Sequence, residues 1–156
     1  MKIILFGSSG QLGLSFMKKV PKNLEIITPL RSEIDLSIEN DVIKFIARHN
    51  PKIILNFAAF TDVNGAETNP KLAFNINARA PSIISKCSKK NGAIFVHIST
   101  DYVYNDFKNQ YLVEESEIKP KNIYGKSKAL GEKLIKENCK KFIILRTSWL
   151  YGSHKN

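Results

Sequence analysis

Five short apolar runs recur along the chain at nearly regular intervals. Most of them are continuously apolar rather than alternating, a pattern typical of strands that are covered on both faces in a parallel sheet. The pattern therefore predicts five strands, at Lys2–Phe6, 24–28, 52–57, 93–99 and 141–147.

Amphipathic segments with helical periodicity separate these strands. Ser37 is placed to cap a helix that ends before Asn50 and Pro51, and a longer segment is expected to break before Pro81. The alternation of strands and helices predicts a doubly wound, Rossmann-like parallel sheet with right-handed crossovers. Helices are predicted at Gln11–Lys19, 38–49, 70–91 and 123–137.

One long polar segment, 106–120, interrupts this regular order after the fourth predicted strand. In an open parallel sheet, ligands bind at the carboxyl ends of the strands. The segment is therefore predicted to be a loop at the ligand-binding edge.

Composition adds a strongly basic charge to this picture. The 156 residues carry a formal net charge of +10, but the cations are 20 Lys and 4 Arg, spread over every segment. Phosphate and base recognition favours arginine forks with interleaved aromatic residues. The charge is therefore interpreted as a solvated coat that attracts small anions, and no nucleic-acid partner is expected.

Hydropathy and the metal-binding residue types narrow the function classes further. No run of about 18 apolar residues occurs, and the apolar start of the chain is too short for a signal sequence. A cytoplasmic protein without membrane contact is expected. Cys87 and Cys139 are isolated, and His49, His97 and His154 have no ligand spacing, so no metal site is predicted.

A glycine-rich segment, GSSGQLG, follows the first predicted strand and leads directly into a helix. Gly7, Gly10 and Gly13 permit a tight turn and let backbone N–H groups approach a pyrophosphate, while the helix N-terminus supplies partial positive charge. A glycine-rich turn without a ligand is the alternative. The position after the first strand favours a nucleotide-binding loop.

Tyr124 and Lys128 lie four residues apart in the last predicted helix. Four residues are about one turn, so the two side chains share a face and can contact one ligand. A lysine ammonium beside a tyrosine favours the phenolate and is expected to lower the phenol pKa from about 10. The alternative for each residue alone is an ordinary structural role, as an exposed helical lysine and a half-buried tyrosine.

Six motifs extend over essentially the whole chain: FGSSGQLG, Asp35 with Leu36, NFAAFTDV, STDYVY, YGKSK and RTSWLYG. In this order the set resembles the extended short-chain dehydrogenase/reductases, and within them it is most similar to the dTDP-4-dehydrorhamnose reductases. The resemblance implies NAD(P)H-dependent reduction of a dTDP-4-keto-6-deoxy sugar, dTDP-4-dehydrorhamnose to dTDP-rhamnose, for cell-surface polysaccharide synthesis.

The resemblance assigns roles to three residues as the catalytic set. Tyr124 protonates the sugar carbonyl oxygen as hydride arrives from the cofactor, Thr100 hydrogen-bonds the same oxygen, and Lys128 holds the nicotinamide ribose. The remaining cofactor contacts that the resemblance implies are Gly7, Gly10, Gln11, Leu12, Gly13, Asp35, Leu36, Ala58, Ala59 and Thr61.

Arg31 bears on the choice of cofactor. It follows Leu30, at a point where family members often carry an acidic residue. An acid there repels a 2′-phosphate, whereas an arginine can pair with it. NADPH is therefore expected to bind, in preference to NADH or beside it; the alternative for Arg31 is a solvated surface charge.

Substrate contacts are implied at Thr100, Asp101 and Trp149. A flat indole can lie against a sugar face, and a core position after the last strand is the alternative for Trp149. The implied partner is the dTDP-sugar, and a homodimer is left open.

Length is the main departure from the family, whose members are nearly twice as long and add a smaller C-terminal portion over the nucleotide-sugar. We therefore expect residues 1–156 to form the NAD(P)-binding domain, with the Tyr-x-x-x-Lys helix, and without that substrate-binding portion. Two other classes stay open. One is a nucleotide-sugar epimerase or dehydratase, which would add acid or base residues next to Thr100, and the other is a non-catalytic NADP-binding regulatory relative.

Overall fold

The computed structural model describes residues 1–104 and 111–152. Its centre is one sheet of five parallel strands in the order β2-β1-β3-β4-β5. The predicted doubly wound, Rossmann-like architecture is confirmed, and each predicted strand lies within one residue of its observed bounds. The strands are β1 (Lys2–Phe6), β2 (Glu25–Ile27), β3 (Ile53–Asn56), β4 (Ile94–Thr100) and β5 (Phe142–Thr147).

Helices connect the successive strands, as parallel pairing requires. None of those in the described ranges is long and apolar enough to cross a membrane. Residues 106–110 of the predicted polar loop lie outside the described residues, and next to this gap Tyr104 forms an antiparallel bridge with Ile118. The helices are α1 (Gln11–Lys19), α2 (Glu39–His49), α3 (Val63–Thr68), α4 (Pro70–Phe74), α5 (Ala80–Asn91) and α6 (Ile123–Asn138).

The predicted break before Pro81 is wrong. Asn75–Arg79 form a π-helical turn that joins α4 to α5 without leaving helical backbone angles. Pro81 lies in the first turn of α5, where a missing N–H costs little, and the wider turn accommodates the ring. The helical segment is therefore continuous from Pro70 to Asn91.

The predicted cap at Ser37 is also wrong, because Ser37 lies in a turn with Asp35 and α2 begins only at Glu39. The Asp35 carboxylate accepts a hydrogen bond of 2.8 Å from the Ser37 N–H. The N-cap of α2 is Ile38, which supplies no side-chain acceptor. Glu39 and Asp41 in the first turn instead complement the positive end of the helix.

The described residues form one larger and two smaller apolar clusters. The larger cluster joins strand residues to apolar residues of α2, α5 and α6. One smaller cluster packs Phe16 of α1 edge-on against Phe57, with ring centroids 5.5 Å apart, and the other packs α3 and α4 against Tyr124 of α6. Each fully buried side chain of this size contributes about 1.5–3 kcal/mol. The largest buried apolar residues are Ile4, Leu5, Phe6, Ile46, Ile54, Ile84, Phe95 and Ile135.

A buried ion pair holds α6 against the sheet. Glu132 is fully buried, and its carboxylate accepts two hydrogen bonds from Arg146 of β5, at 3.0 and 2.7 Å. Ser99 of β4 donates a third. Arg146 also donates to the Tyr104 hydroxyl and to the Glu114 carbonyl oxygen. One network therefore joins α6, β4, β5 and the segment after β4.

We expect Glu132→Gln to lower the free energy of unfolding by about 3 kcal/mol, because it removes the charge that compensates the largely buried Arg146. Glu137→Gln is the matched control on the same helix. Its pair with Lys133 is exposed and spans 3.9 Å, so the expected cost is below about 0.5 kcal/mol. Urea denaturation measures both, and equal costs would contradict the role given to Glu132.

Candidate active site

A cleft of about 850 Å³ lies at the carboxyl ends of the strands. The residues that line it come from the segments that follow β1, β2, β3, β4 and β5, and from α6. Every residue that the sequence nominated is among them. These are Gly7, Gly10, Gln11, Leu12, Gly13, Arg31, Asp35, Leu36, Ala58, Ala59, Thr61, Thr100, Asp101, Tyr124, Lys128 and Trp149.

The glycine loop forms one wall of the cleft, and its shape excludes side chains. Gly7 has φ +83°, and a Cβ there would lie 2.5 Å from the Ala58 nitrogen. A Cβ on Gly13 would lie 2.2 Å from the Gly7 carbonyl oxygen. The loop therefore brings bare backbone and the start of α1 to the cleft, and no acidic residue occupies the first turn of α1. This cradle fits a pyrophosphate.

The segment after β2 supplies two groups with defined surroundings. The hydrogen bond from the Ser37 N–H holds the pKa of Asp35 below its usual range, so this side chain is a carboxylate that faces the cleft. Arg31 is exposed at the same end of the cleft. An arginine placed there can meet a phosphate without a desolvation cost.

Tyr124, Thr100 and Asp101 form a hydrogen-bonded group in the cleft. The Thr100 hydroxyl donates to Asp101 Oδ1 at 3.0 Å and accepts from the Tyr102 N–H at 3.2 Å. Tyr124 shares a further hydrogen bond with Thr100, and its ring packs edge-on against Tyr102. The Ser148 hydroxyl donates to Asp101 Oδ2 at 2.9 Å. Asp101 thereby links the end of β4 to the segment after β5.

The expected lowering of the Tyr124 pKa is wrong in this structure. Burial raises the pKa of Tyr124, and the hydrogen bond with Thr100 opposes this shift without cancelling it. Tyr124 is 9% exposed, so its charged form would lose most of its hydration. The tyrosine is therefore held as the neutral phenol.

Lys128 lies at the base of the cleft, and its Nζ is bonded to residues of β4. Its Nζ is 2.6 Å from the Ile98 carbonyl oxygen and 3.2 Å from His97 Nε2. Burial lowers the pKa of Lys128 to about 8, against the opposing effect of Glu132. The side chain is 2% exposed, so the lysine is not the solvated helix residue that its sequence alone allowed.

Trp149 is 89% exposed and lines the cleft, so the alternative of a core position is wrong. Its backbone φ of +49° turns the chain sharply after β5. Gln11 reaches the same segment, with its amide oriented so that the oxygen accepts from the Gly152 N–H at 2.7 Å. The glycine loop and the segment after β5 thus meet.

Sequence reasoning missed several buried polar residues that support this site. Asn77, in the π-helical turn, accepts from the Phe60 N–H at 2.8 Å and donates to the Phe60 carbonyl oxygen at 2.9 Å and to Ser127 Oγ at 3.0 Å. Glu132 continues the four-residue spacing of Tyr124 and Lys128, and that spacing was a usable signal for it. His97 is fully buried on β4, and its spacing from the other histidines gives no sign of this. No group of three or more potential metal ligands occurs in the described ranges.

Comparisons with known proteins agree with this fold. The dTDP-4-dehydrorhamnose reductase of Aggregatibacter actinomycetemcomitans is 35% identical over 99% of this chain and 53% of its own length. Among solved structures, a dTDP-4-dehydrorhamnose reductase from Clostridium acetobutylicum has a TM-score of 0.95 and 37% identity, over 100% of this chain and 56% of that one. One from Bacillus anthracis, in complex with NADP, has a TM-score of 0.95 and 36% identity, over 99% and 56%.

This chain therefore spans about half the length of these relatives. The family model described as RmlD substrate binding domain matches residues 1–156, which is the whole chain. The chain belongs to the RmlD substrate binding domain family.

Proposed function

We propose that residues 1–156 form the NAD(P)-binding and catalytic unit of a reductase that acts on the keto group of a dTDP-4-keto-6-deoxy sugar. One observation carries the proposal. The neutral phenol of Tyr124, hydrogen-bonded to Thr100, lies in the same cleft as the glycine cradle. A proton donor and a pyrophosphate site within one cleft fit a nicotinamide-dependent reduction.

The proposed cofactor is NADPH, with NADH as the weaker choice. The glycine loop from Gly7 to Gly13 would hold the pyrophosphate, and Arg31 would meet a 2′-phosphate. Asp35 and Leu36 would contact the adenosine side, and Ala58, Ala59 and Thr61 would form the wall after β3. The relative from Bacillus anthracis that was solved with NADP supports this assignment.

When bound, the cofactor supplies the hydride. Tyr124 has the protonation state that a general acid needs, because burial keeps its proton in place. Without substrate, Thr100 directs its hydroxyl proton to Asp101. With substrate bound, the Thr100 hydroxyl would turn from Asp101 and donate to the carbonyl oxygen of the sugar, beside the proton donor Tyr124.

An epimerase or dehydratase is the second candidate, and the surroundings of Asp101 disfavour it. Such an enzyme would use an additional acid or base next to Thr100. Both Asp101 oxygens already accept hydroxyl protons, one from Thr100 and one from Ser148. Asp101 is thus engaged in orienting its neighbours. A non-catalytic relative is disfavoured because Thr100 and Tyr124 are assembled and buried.

Titration of the chain with NADPH and NADH, followed by cofactor fluorescence, tests the cofactor assignment. We expect saturable binding of both. Arg31→Ala should weaken NADPH binding about tenfold and NADH binding by less than twofold, because it removes one charge-assisted hydrogen bond to the extra phosphate.

Arg48→Ala is the matched control, since Arg48 is an exposed arginine outside the cleft. It should leave both affinities unchanged. If Arg31→Ala leaves the ratio of the NADPH and NADH affinities unaltered, Arg31 is only a surface charge. A folded chain that binds neither cofactor would refute the proposed function.

The acid is tested by Tyr124→Phe in a chimera in which residues 1–156 are joined to the part of the Clostridium acetobutylicum relative that this chain does not cover. Reduction of the dTDP-keto sugar should slow by about 10²–10⁴-fold, the usual contribution of a positioned general acid. The NADPH affinity should change by less than twofold.

Lys126→Ala serves as the control, because Lys126 is exposed on the same helix and does not line the cleft. Its rate should equal that of the parent chimera. Equal rates for the parent and Tyr124→Phe would exclude Tyr124 as the proton donor.

A further inference from the structure

A buried chain of hydrogen bonds runs from β3 through β4 to α6, beneath the cleft. The Ala58 N–H donates to Asn56 Oδ1 at 3.2 Å, and Asn56 Nδ2 lies 3.2 Å from His97 Nδ1. His97 Nε2 lies 3.2 Å from Lys128 Nζ, which is 2.6 Å from the Ile98 carbonyl oxygen. Asn56, His97 and Lys128 are each at most 2% exposed.

The two ends of this chain fix its direction. A backbone N–H can donate but not accept, so the atom of Asn56 that faces Ala58 is the oxygen. The other Asn56 atom is then the NH₂ group, which donates to His97 Nδ1. His97 must therefore present a lone pair at Nδ1, and a neutral imidazole in that state carries its proton on Nε2.

The proton on His97 Nε2 decides which form of Lys128 fits. An ammonium has three donors and no lone pair, so it would oppose the Nε2–H donor to donor. A neutral amine accepts from His97 and donates to the Ile98 carbonyl oxygen. With a neutral Lys128 every one of these hydrogen bonds has a donor and an acceptor, whereas with an ammonium the contact between Lys128 Nζ and His97 Nε2 has two donors.

We propose that His97 is a positioning residue for Lys128. Asn56 holds the imidazole of His97 as the Nε2–H tautomer, and this tautomer retains Lys128 against β4 as a neutral amine. When Lys128 is protonated, the lysine is released to the cleft. The released ammonium can donate to the hydroxyl groups of a dinucleotide ribose. The proton comes from water, one for each lysine released. This step rests on the proposed function for the identity of the ligand.

The electrostatic surroundings are consistent with a neutral pair. Burial lowers the pKa of His97 well below its ordinary value, a charge on Lys128 lowers it further, and burial lowers the pKa of Lys128 to about 8, so the imidazole is neutral beside either form of the lysine. The other titratable or charged groups around the pair are Glu132 and Tyr124 on α6, Arg146 on β5 and Asp101 after β4. Glu132 favours the ammonium, but Arg146 is paired with it at 2.7 Å.

The protonation state of Lys128 determines how the affinity for NADPH depends on pH. Below pH 8 most of the lysine is already protonated, so cofactor binding takes up no proton and the affinity is independent of pH. Above pH 8 the free chain holds the neutral amine while the bound state needs the ammonium. Each pH unit should therefore weaken NADPH binding about tenfold, until the pKa of the complex is reached.

The tautomer is tested on the chain without cofactor. Long-range ¹H–¹⁵N NMR distinguishes the two ring nitrogens, and we expect His97 to stay neutral from pH 6 to 9 with its proton on Nε2. A proton on Nδ1, or an imidazolium in this range, would overturn the proposal whether or not NADPH binds.

Asn56→Asp reverses the direction of the hydrogen bonds between residue 56, His97 and Lys128, and it provides the second test. A carboxylate accepts from both the Ala58 N–H and His97 Nδ1–H, so Nε2 becomes an acceptor that retains the Lys128 ammonium. We expect the His97 proton to move to Nδ1 and NADPH affinity to become constant between pH 7 and 9.

Asn91→Asp, at the end of α5 and outside the cleft, is the control for an added charge. It should keep the original pH profile. If Asn56→Asp also keeps the tenfold loss per pH unit, His97 does not set the state of Lys128. If the variant does not fold, the tautomer and pH profile of the unaltered chain decide. Failure of NADPH to bind at any pH would refute the proposed function, while the tautomer still decides this inference.

Discussion

The buried carboxylate of Glu132 is the constraint on which the site depends. It is fully buried, where an unpaired charge would be strongly destabilising, and its partners come from two different strands. Helix α6 can therefore pack on the sheet in one position. Lys128 and Tyr124 lie one and two turns earlier on the same face, so the ion pair that fixes the helix also fixes where these side chains meet the cleft.

The cleft follows from the parallel sheet. Parallel strands end at one edge, and this brings together segments that are far apart in the sequence. Short polar contacts then tie these segments to each other, with Asp101 joining the ends of β4 and β5 and Asn77 joining the segment after β3 to α6. The same residues that shape the cleft are thus part of the hydrogen bonding that stabilises the fold.

The sequence predicted the strands to within a residue, because continuous apolar runs are typical of a parallel sheet. The residues that it nominated all line one cleft, because the carboxyl ends of parallel strands lie at the same edge of the sheet. It did not predict the state of the site. The Tyr124 pKa moves opposite to expectation because burial raises it and the hydrogen bond with Thr100 offsets only part of that shift. Lys128 turns to His97, a residue 31 positions away, and no local pattern shows such a partner. Ser37 is not the cap because α2 begins one residue later than predicted, after a turn in which the Asp35 carboxylate accepts from the Ser37 N–H.

The central claim is that the cleft holds the dinucleotide along the glycine loop, with Tyr124 at its other end. Backbone ¹H–¹⁵N chemical shifts recorded during an NADPH titration test this most directly. We expect saturable shifts at the amides of Gly7 to Gly13, of Ala58 to Thr61 and of Thr100 and Tyr124, with none at the far end of α5. Shifts that are absent, or that cluster away from these segments, would contradict it.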